Sequence, residues 1–124
     1  MNKKYILIVE DDQVSLLYFE EIITNMEFAD MEVHIDHVDT GEKAVDYCNI
    51  HPVDLILMDI KLPGMNGWES TQKIKAIHPN ITVITQSAYI SPGGYQKSMV
   101  AGCADHLLKP VSIDKLRNTL HKYL

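Results

Sequence analysis

Apolar positions along the chain recur in five short runs, and the stretches between these runs have helical spacing. The runs cover residues 5–9, 33–38, 53–58, 81–85 and 106–108. The first and third are apolar at four consecutive positions, which is typical of parallel strands that are covered by helices on both faces. The second run alternates apolar and polar residues, and it therefore predicts a strand at the edge of the sheet.

Apolar residues three or four positions apart predict a helix after each strand. Thr40 is placed to cap the second helix and Ser112 the fifth, because a hydroxyl can accept a backbone N–H group of the first turn. The third helix is expected over residues 67–77, and the fourth over about 95–101, ending at Gly102. In the first and last helices, we expect the following residues to face the core: Val14, Leu17, Tyr18, Ile22, Met26, Ile113, Leu116, Leu120 and Leu124.

The alternation of strands and helices predicts a three-layer α/β domain with right-handed crossovers. The 124 residues carry a net charge of −6, which disfavours a nucleic-acid partner because binding to phosphate backbones depends on clustered Lys and Arg. Two cysteines are too few for a disulfide scaffold, and no run is long enough for a membrane span or a signal peptide. We therefore expect a single cytoplasmic domain over residues 1–124, with no membrane contact.

Polar side chains follow four of the predicted strands, where a doubly wound sheet places its binding site. They are Glu10, Asp11 and Asp12 after the first strand, Asp59 after the third, Gln86 and Ser87 after the fourth, and Lys109 after the fifth. Two carboxylates about 4 Å apart repel by roughly 4 kcal/mol at an effective dielectric constant of about 20, so a divalent cation is favoured there. Oxygen ligands suit Mg²⁺, with Mn²⁺ as a second fit.

This combination of residues predicts a phosphoryl site. Asp59 stands alone at the end of the central strand and is the candidate nucleophile, because a carboxylate can form an acyl phosphate. Asp11 and Asp12 are the candidate metal holders. Lys109 and Ser87 are placed to contact the phosphoryl oxygens.

Four motifs resemble those of the receiver domain of bacterial two-component response regulators, and the resemblance covers essentially the whole chain. The motifs are IVEDD at residues 8–12, DLILMDIKLPGMNG at 54–67, QSA at 86–88 and LLKP at 107–110. The resemblance implies a flavodoxin-like fold, in which a doubly wound five-stranded parallel sheet in the order 2-1-3-4-5 has helices on both faces.

The resemblance also implies a function, which is that of a phosphoacceptor switch in a phosphorelay. Asp59 would be loaded from a phosphohistidine of a sensor histidine kinase or a phosphotransfer protein in a Mg²⁺-dependent reaction. Lys109 and Ser87 would contact the phosphoryl oxygens, and Lys109–Pro110 would be a cis peptide. No separate enzyme class is implied, although the domain would catalyse its own phosphorylation and dephosphorylation.

By the same resemblance, the metal would be held by four residues. Asp12 and Asp59 would bind it through their side chains, Lys61 through its backbone carbonyl, and Asp11 through water. Lys61 and Tyr89 would also flank the path of the water that hydrolyses the acyl phosphate.

Signalling would start with a shift of Ser87 toward the new phosphate, which leaves space for a side chain of the fifth strand. Receivers usually place Tyr or Phe three residues before the Lys, whereas this chain has His106, so the output surface is hypothesised to be pH-sensitive. That surface would comprise the fourth helix, fifth strand and fifth helix, and residues 91–94 predict a poorly ordered start of the fourth helix. A monomer and a phosphorylation-dependent dimer both fit.

Three alternatives differ in class. The first is a receiver-like protein-binding module that works without phosphorylation. The second is a flavin carrier, which is disfavoured because Glu10, Asp11 and Asp12 would repel the flavin phosphate. The third is an Asp-nucleophile phosphatase resembling the haloacid dehalogenase group, which needs a second Asp where this chain has Lys61. A stand-alone protein and a part of a longer regulator or hybrid kinase both fit the sequence.

Overall fold

The computed structural model describes residues 2–88 and 93–124, in which strands and helices alternate as the sequence predicts. The strands are β1 (Asn2–Val9), β2 (Met31–Val38), β3 (Leu55–Asp59), β4 (Thr82–Ser87) and β5 (Asp105–Leu108). The helices are α1 (Gln13–Thr24), α2 (Gly41–Ile50), α3 (Gly67–Ile77), α4 (Gly94–Ala101) and α5 (Ile113–Tyr123). Tyr89, Ser91 and Pro92, to which the sequence assigned roles or conformations, lie outside the described residues.

The five strands form one parallel sheet in the order β2-β1-β3-β4-β5, which confirms the predicted fold class. Every residue of β3 is buried, as its unbroken apolar sequence indicates. Strand β2 lies at the edge and keeps alternate residues exposed over most of its length. The strand order reverses beside β1, so the site expected in such a fold lies at the carboxyl ends of β1 and β3.

The sheet separates two hydrophobic cores, because successive side chains of a strand point to opposite faces. The first core contains Ile6 and Ile8 of β1 and packs against α1 and α5. The second contains Leu7 and Val9 and packs against α2 and α3. Which core a strand residue joins is therefore set by whether its position is odd or even within that strand.

The predicted inner face of α1 is wrong at three of its five positions. Val14, Leu17 and Tyr18 are 75%, 57% and 40% exposed, whereas Ile22 is buried and Met26 packs against the core as predicted. Helix α1 has apolar residues around most of its circumference, so the spacing alone fits two phases, and the structure buries the phase that contains Phe19. The other buried residues of α1 are Leu16, Ile22 and Ile23.

Helix ends follow the sequence more closely. The side chains of Thr40 and Ser112 cap α2 and α5 as predicted, and Gly102 ends α4 with φ of 106°. Ile113 was expected to face inward, but it is exposed because it is the first residue of α5, beyond the packed turns. Leu116 and Leu120 are buried, and Leu124 packs against the first core.

None of the helices in the described part of the chain combines the length and the apolar composition needed to cross a membrane.

Gly67 lets α3 begin directly against the end of β3. Its N–H donates to the carbonyl of Ile60 at 2.9 Å, and a Cβ at this position would lie 2.2 Å from the carbonyl oxygen of Asp59. We expect Gly67→Ala to lower the free energy of unfolding by about 2 kcal/mol, because the backbone near Asp59 must move. Chemical denaturation measures this value. Gln72→Ala, at an exposed position of the same helix, is the control and should change it by less than about 0.5 kcal/mol; equal effects of the two substitutions would contradict the prediction.

Candidate functional site

Four polar side chains extend the sheet face that carries the first core. Residues of that core lie two positions before each of them: Ile8, Leu57, Ile84 and Leu107. The alternation of strand side chains therefore brings the four to one place at the carboxyl ends of the strands. They are Glu10, Asp59, Gln86 and Lys109.

Glu10 is the centre of this group. Its side chain is buried, and the ammonium group of Lys109 donates to Glu10 Oε1 at 2.6 Å. The amide of Gln86 donates to the same oxygen at 3.2 Å, and the backbone N–H of Asp12 donates to Oε2 at 3.2 Å. A carboxylate removed from water is stable only if charge and hydrogen bonds compensate it, and Glu10 has both.

Asp59 is less well compensated than Glu10. It is 6% exposed, Lys109 Nζ lies 4.0 Å from its Oδ2, and the backbone N–H of Lys61 donates to Oδ1 at 3.3 Å. Burial raises the pKa of Asp59 to about 7, and the neighbouring Glu10 acts in the same direction, while Lys109 and the Lys61 N–H partly oppose the shift. Ionised Asp59 therefore lacks sufficient positive charge around it.

A compact acidic cluster forms where Asp11 joins these two residues. Ligand oxygens of Glu10, Asp11 and Asp59 lie within 4.8 Å of one another. Oxygen donors in this number are the ligands that Mg²⁺ prefers, whereas Zn²⁺ prefers His and Cys. The cluster therefore fits a hard divalent cation, whose charge would favour the ionised form of Asp59.

Asp12, a predicted metal ligand, does not belong to this cluster. It is the residue before α1, and its carboxylate accepts the backbone N–H of Ser15 at 3.0 Å, which caps the helix. This hydrogen bond is the main reason that the pKa of Asp12 is lowered. Of the two adjacent Asp residues, Asp12 caps the start of α1, whereas Asp11 belongs to the cluster.

Lys109 and Lys61 lie next to Asp59, and Ser87 ends the neighbouring strand β4. Ser87 is buried at the end of β4, and its carbonyl accepts the backbone N–H of Lys109 at 2.7 Å. Lys61 is tied to Asp59 through its own backbone N–H. The Lys109–Pro110 bond is cis, which confirms that prediction.

His106 lies on the opposite face of the sheet and belongs to a separate chain of hydrogen bonds. Its Nδ1 is 2.7 Å from Thr85 Oγ1, and that hydroxyl donates to Ser98 Oγ of α4 at 3.1 Å. The indole N–H of Trp68 in α3 also donates to Ser98 Oγ, at 2.9 Å. Burial lowers the pKa of His106, while Asp105 partly opposes this shift. These hydrogen bonds thus connect β4 and β5 with α3 and α4.

Sequence reasoning gave no role to Glu10 or Gln86. Both lie two positions after a core residue, Ile8 or Ile84, on the sheet face that the alternation of side-chain directions along β1 and β4 marks as buried. That alternation was the available signal, because it separates Glu10 from Asp11 and places it on the same side as Asp59.

Comparisons with known proteins agree with this fold. The family model of the response regulator receiver domain matches residues 6–121. Sporulation initiation phosphotransferase F of Bacillus subtilis (strain 168) is 36% identical over 124 residues, which are 100% of this chain and 95% of that protein. The polar-differentiation response regulator DivK of Brucella ovis is 30% identical over 123 residues, which are 98% of this chain and 96% of that protein.

A solved structure gives the same result. The receiver domain of sensor histidine kinase PA1611 from Pseudomonas aeruginosa PAO1, which holds a magnesium ion in its active-site cleft, is 27% identical with a TM-score of 0.85. The match covers 98% of this chain and 97% of that domain. The chain therefore belongs to the response regulator receiver domain family.

The raised pKa of Asp59 predicts how stability changes with pH. Folding raises this pKa from 3.8 to about 7, so without metal the wild-type protein should lose stability as the pH rises from about 4 through about 7. Asp59→Asn removes the charge, and at pH 8 we expect it to raise the free energy of unfolding by on the order of 2 kcal/mol. The difference in the free energy of unfolding between the two proteins should nearly vanish at about pH 4. Urea denaturation at both pH values measures it.

The matched control is Asp46→Asn, which removes an exposed carboxylate from α2 and should leave the stability unchanged at both pH values. An Asp59→Asn protein that is no more stable than wild type at pH 8 would show that Asp59 is not under electrostatic strain.

Proposed function

We propose that this receiver domain works as a switch by accepting a phosphoryl group on Asp59 from a phosphohistidine of a sensor histidine kinase or a phosphotransfer protein. The observation that carries the proposal is the position of Asp59. The carboxylate of Asp59 is buried at the end of the central strand, with Lys109 Nζ at 4.0 Å and oxygens of two further carboxylates within 4.8 Å. A cytoplasmic site of action is part of the proposal.

The chemistry is a phosphoryl transfer between two nucleophiles. An oxygen of ionised Asp59 forms a bond to phosphorus, and the bond between phosphorus and the donor imidazole nitrogen breaks. The imidazole leaves with the electron pair and is reprotonated from water. Hydrolysis later breaks the acyl phosphate and regenerates the carboxylate.

Mg²⁺ would be held by the carboxylates of Asp11 and Asp59, with Glu10 at the buried end of the cluster and the Lys61 carbonyl as a further oxygen suggested by the family resemblance. When bound, the ion supplies positive charge to the carboxylates and to the phosphoryl oxygens. Asp12 is left out of this set because its carboxylate caps α1.

Lys109 and Ser87 supply the contacts to the transferred group. Lys109 Nζ is 2.6 Å from Glu10 and 4.0 Å from Asp59, so a phosphoryl oxygen on Asp59 would compete with Glu10 for this ammonium group. Ser87, at the end of the neighbouring strand, would donate its hydroxyl to another phosphoryl oxygen.

The switch would pass from Ser87 to His106. A shift of Ser87 displaces the end of β4, and Thr85 in that strand contacts the imidazole at 2.7 Å. Since Thr85 and Ser98 are also hydrogen-bonded, the shift would reach α4. The downstream partner would bind the surface of α4, β5 and α5, where Tyr95 and Leu108 are exposed.

The phosphodonor would dock on a different surface, formed by α1 and the segment after β5. Val14 and Leu17 are exposed apolar residues of α1. A cavity of about 400 Å³ next to them is lined by Tyr18, Lys109 and Pro110, among others. An apolar helix face of the donor protein would cover this surface and bring its phosphohistidine to the rim where Lys109 lies.

The test of the proposal is the intact mass after incubation with acetyl phosphate. We expect wild-type protein to gain one phosphoryl group with Mg²⁺ and almost none without it, and we expect Asp59→Asn to gain none. If wild-type protein binds Mg²⁺ but gains no mass from acetyl phosphate or from a second donor, the domain is instead a binding module that works without phosphorylation.

Two neighbouring substitutions test the metal set in the same assay. Asp11→Asn removes a cluster ligand and should slow Mg²⁺-dependent phosphorylation at least about tenfold. Asp12→Asn is the matched control, because Asn also caps helices well, and it should keep a rate within about twofold of wild type. A larger loss of rate in Asp12→Asn than in Asp11→Asn would instead show that Asp12 is a metal ligand.

A further inference from the structure

Gln86 is a fully buried polar residue of β4, with 0% of its surface exposed. Its Nε2 donates to Glu10 Oε1 at 3.2 Å. Its Oε1 is buried and has no hydrogen-bond partner among residues 2–88 and 93–124. In the described structure, the side-chain hydrogen bond of the Gln86 amide is therefore the one to Glu10.

An amide at this position carries a cost that an apolar side chain would avoid. A buried polar atom without a partner destabilises a fold, because its hydrogen bonds to water are lost and not replaced. The neighbouring residue of the same strand face, Ile84, is apolar and belongs to the first core. Packing therefore does not explain a Gln at position 86, but its contact with Glu10 does.

The need for this contact appears when Lys109 moves. Glu10 Oε1 has two side-chain donors, Lys109 at 2.6 Å and Gln86 at 3.2 Å. If Lys109 leaves for a phosphoryl oxygen on Asp59, Glu10 stays buried and loses its positive neighbour. The Gln86 amide is then the remaining side-chain donor that the structure places on this oxygen.

We propose that Gln86 is a positioning residue that holds Glu10 in place when Lys109 transfers to the phosphoryl group. The inference rests on the proposed function for the movement of Lys109. It assigns Gln86 no contact with the phosphoryl group or the metal ion. Gln86 instead lowers the free energy of the state in which Lys109 has left Glu10, so it makes the phosphorylated state easier to reach.

The first experiment measures stability and does not depend on phosphorylation. Lys109→Met imitates the departure of the cation from Glu10. We expect Gln86→Met to leave the unfolding temperature of the wild-type protein unchanged or higher, because Met has a similar length and no unpartnered oxygen. In the Lys109→Met background, we expect the same substitution to lower that temperature by roughly 5 °C.

The second experiment measures the rate of phosphorylation at saturating acetyl phosphate and Mg²⁺. Gln86→Met should slow the reaction about tenfold. In a Glu10→Gln background, position 10 no longer carries a charge that needs support, so Gln86→Met should then change the rate less than twofold. A purely structural role of Gln86 would slow both backgrounds equally.

The proposal is overturned if Gln86→Met shifts the unfolding temperature equally with and without Lys109, or if its effect on the rate is the same with and without Glu10. If the wild-type protein is not phosphorylated at all, the proposed function fails, while the stability experiment still decides whether Gln86 supports Glu10 in the absence of Lys109.

Discussion

The burial of Asp59 beside two other carboxylates is the constraint on which the rest of this site depends. Glu10, Asp11 and Asp59 bring their oxygens within 4.8 Å of one another at the end of a buried sheet face. Burial and the neighbouring Glu10 raise the pKa of Asp59, and Lys109, which lies closer to Glu10, opposes this shift only in part. Because negative charge exceeds positive charge around Asp59, the site favours the binding of a divalent cation or the approach of Lys109. Its response to a phosphoryl group follows from the same imbalance.

The fold keeps these charges together because the strands that end at them are packed between two apolar cores. Strand β3 is buried along its whole length, and core residues lie on both sides of it. The close approach of Gly67 to the Asp59 carbonyl leaves little freedom for the end of that strand. Helices on both faces exclude water, which strengthens each electrostatic interaction in the site. On the other face, the Thr85–His106 contact connects the same strand ends with α4.

Much of this arrangement could be predicted from the sequence. Unbroken apolar runs identified the central strands, and the Thr40 and Ser112 caps placed two helix starts correctly. The face of α1 could not be predicted, because apolar residues around most of that helix fit two phases, and only packing selects the one with Phe19. The sequence favoured Asp12 over Glu10 as a metal ligand for a related reason. Local sequence shows three adjacent acids, whereas the alternation of β1 and the cap of α1 decide which of them turn inward.

The most direct measurement of the central claim is the titration of the Asp59 side-chain carboxyl by ¹³C NMR in metal-free protein. The account predicts a midpoint near pH 7, because burial and the neighbouring Glu10 disfavour the ionised form. Saturating Mg²⁺ should move that midpoint to lower pH, because the cation favours ionised Asp59. The exposed Asp46 of α2 provides an internal reference in the same spectra. A midpoint for Asp59 near pH 4, unchanged by Mg²⁺, would contradict the account.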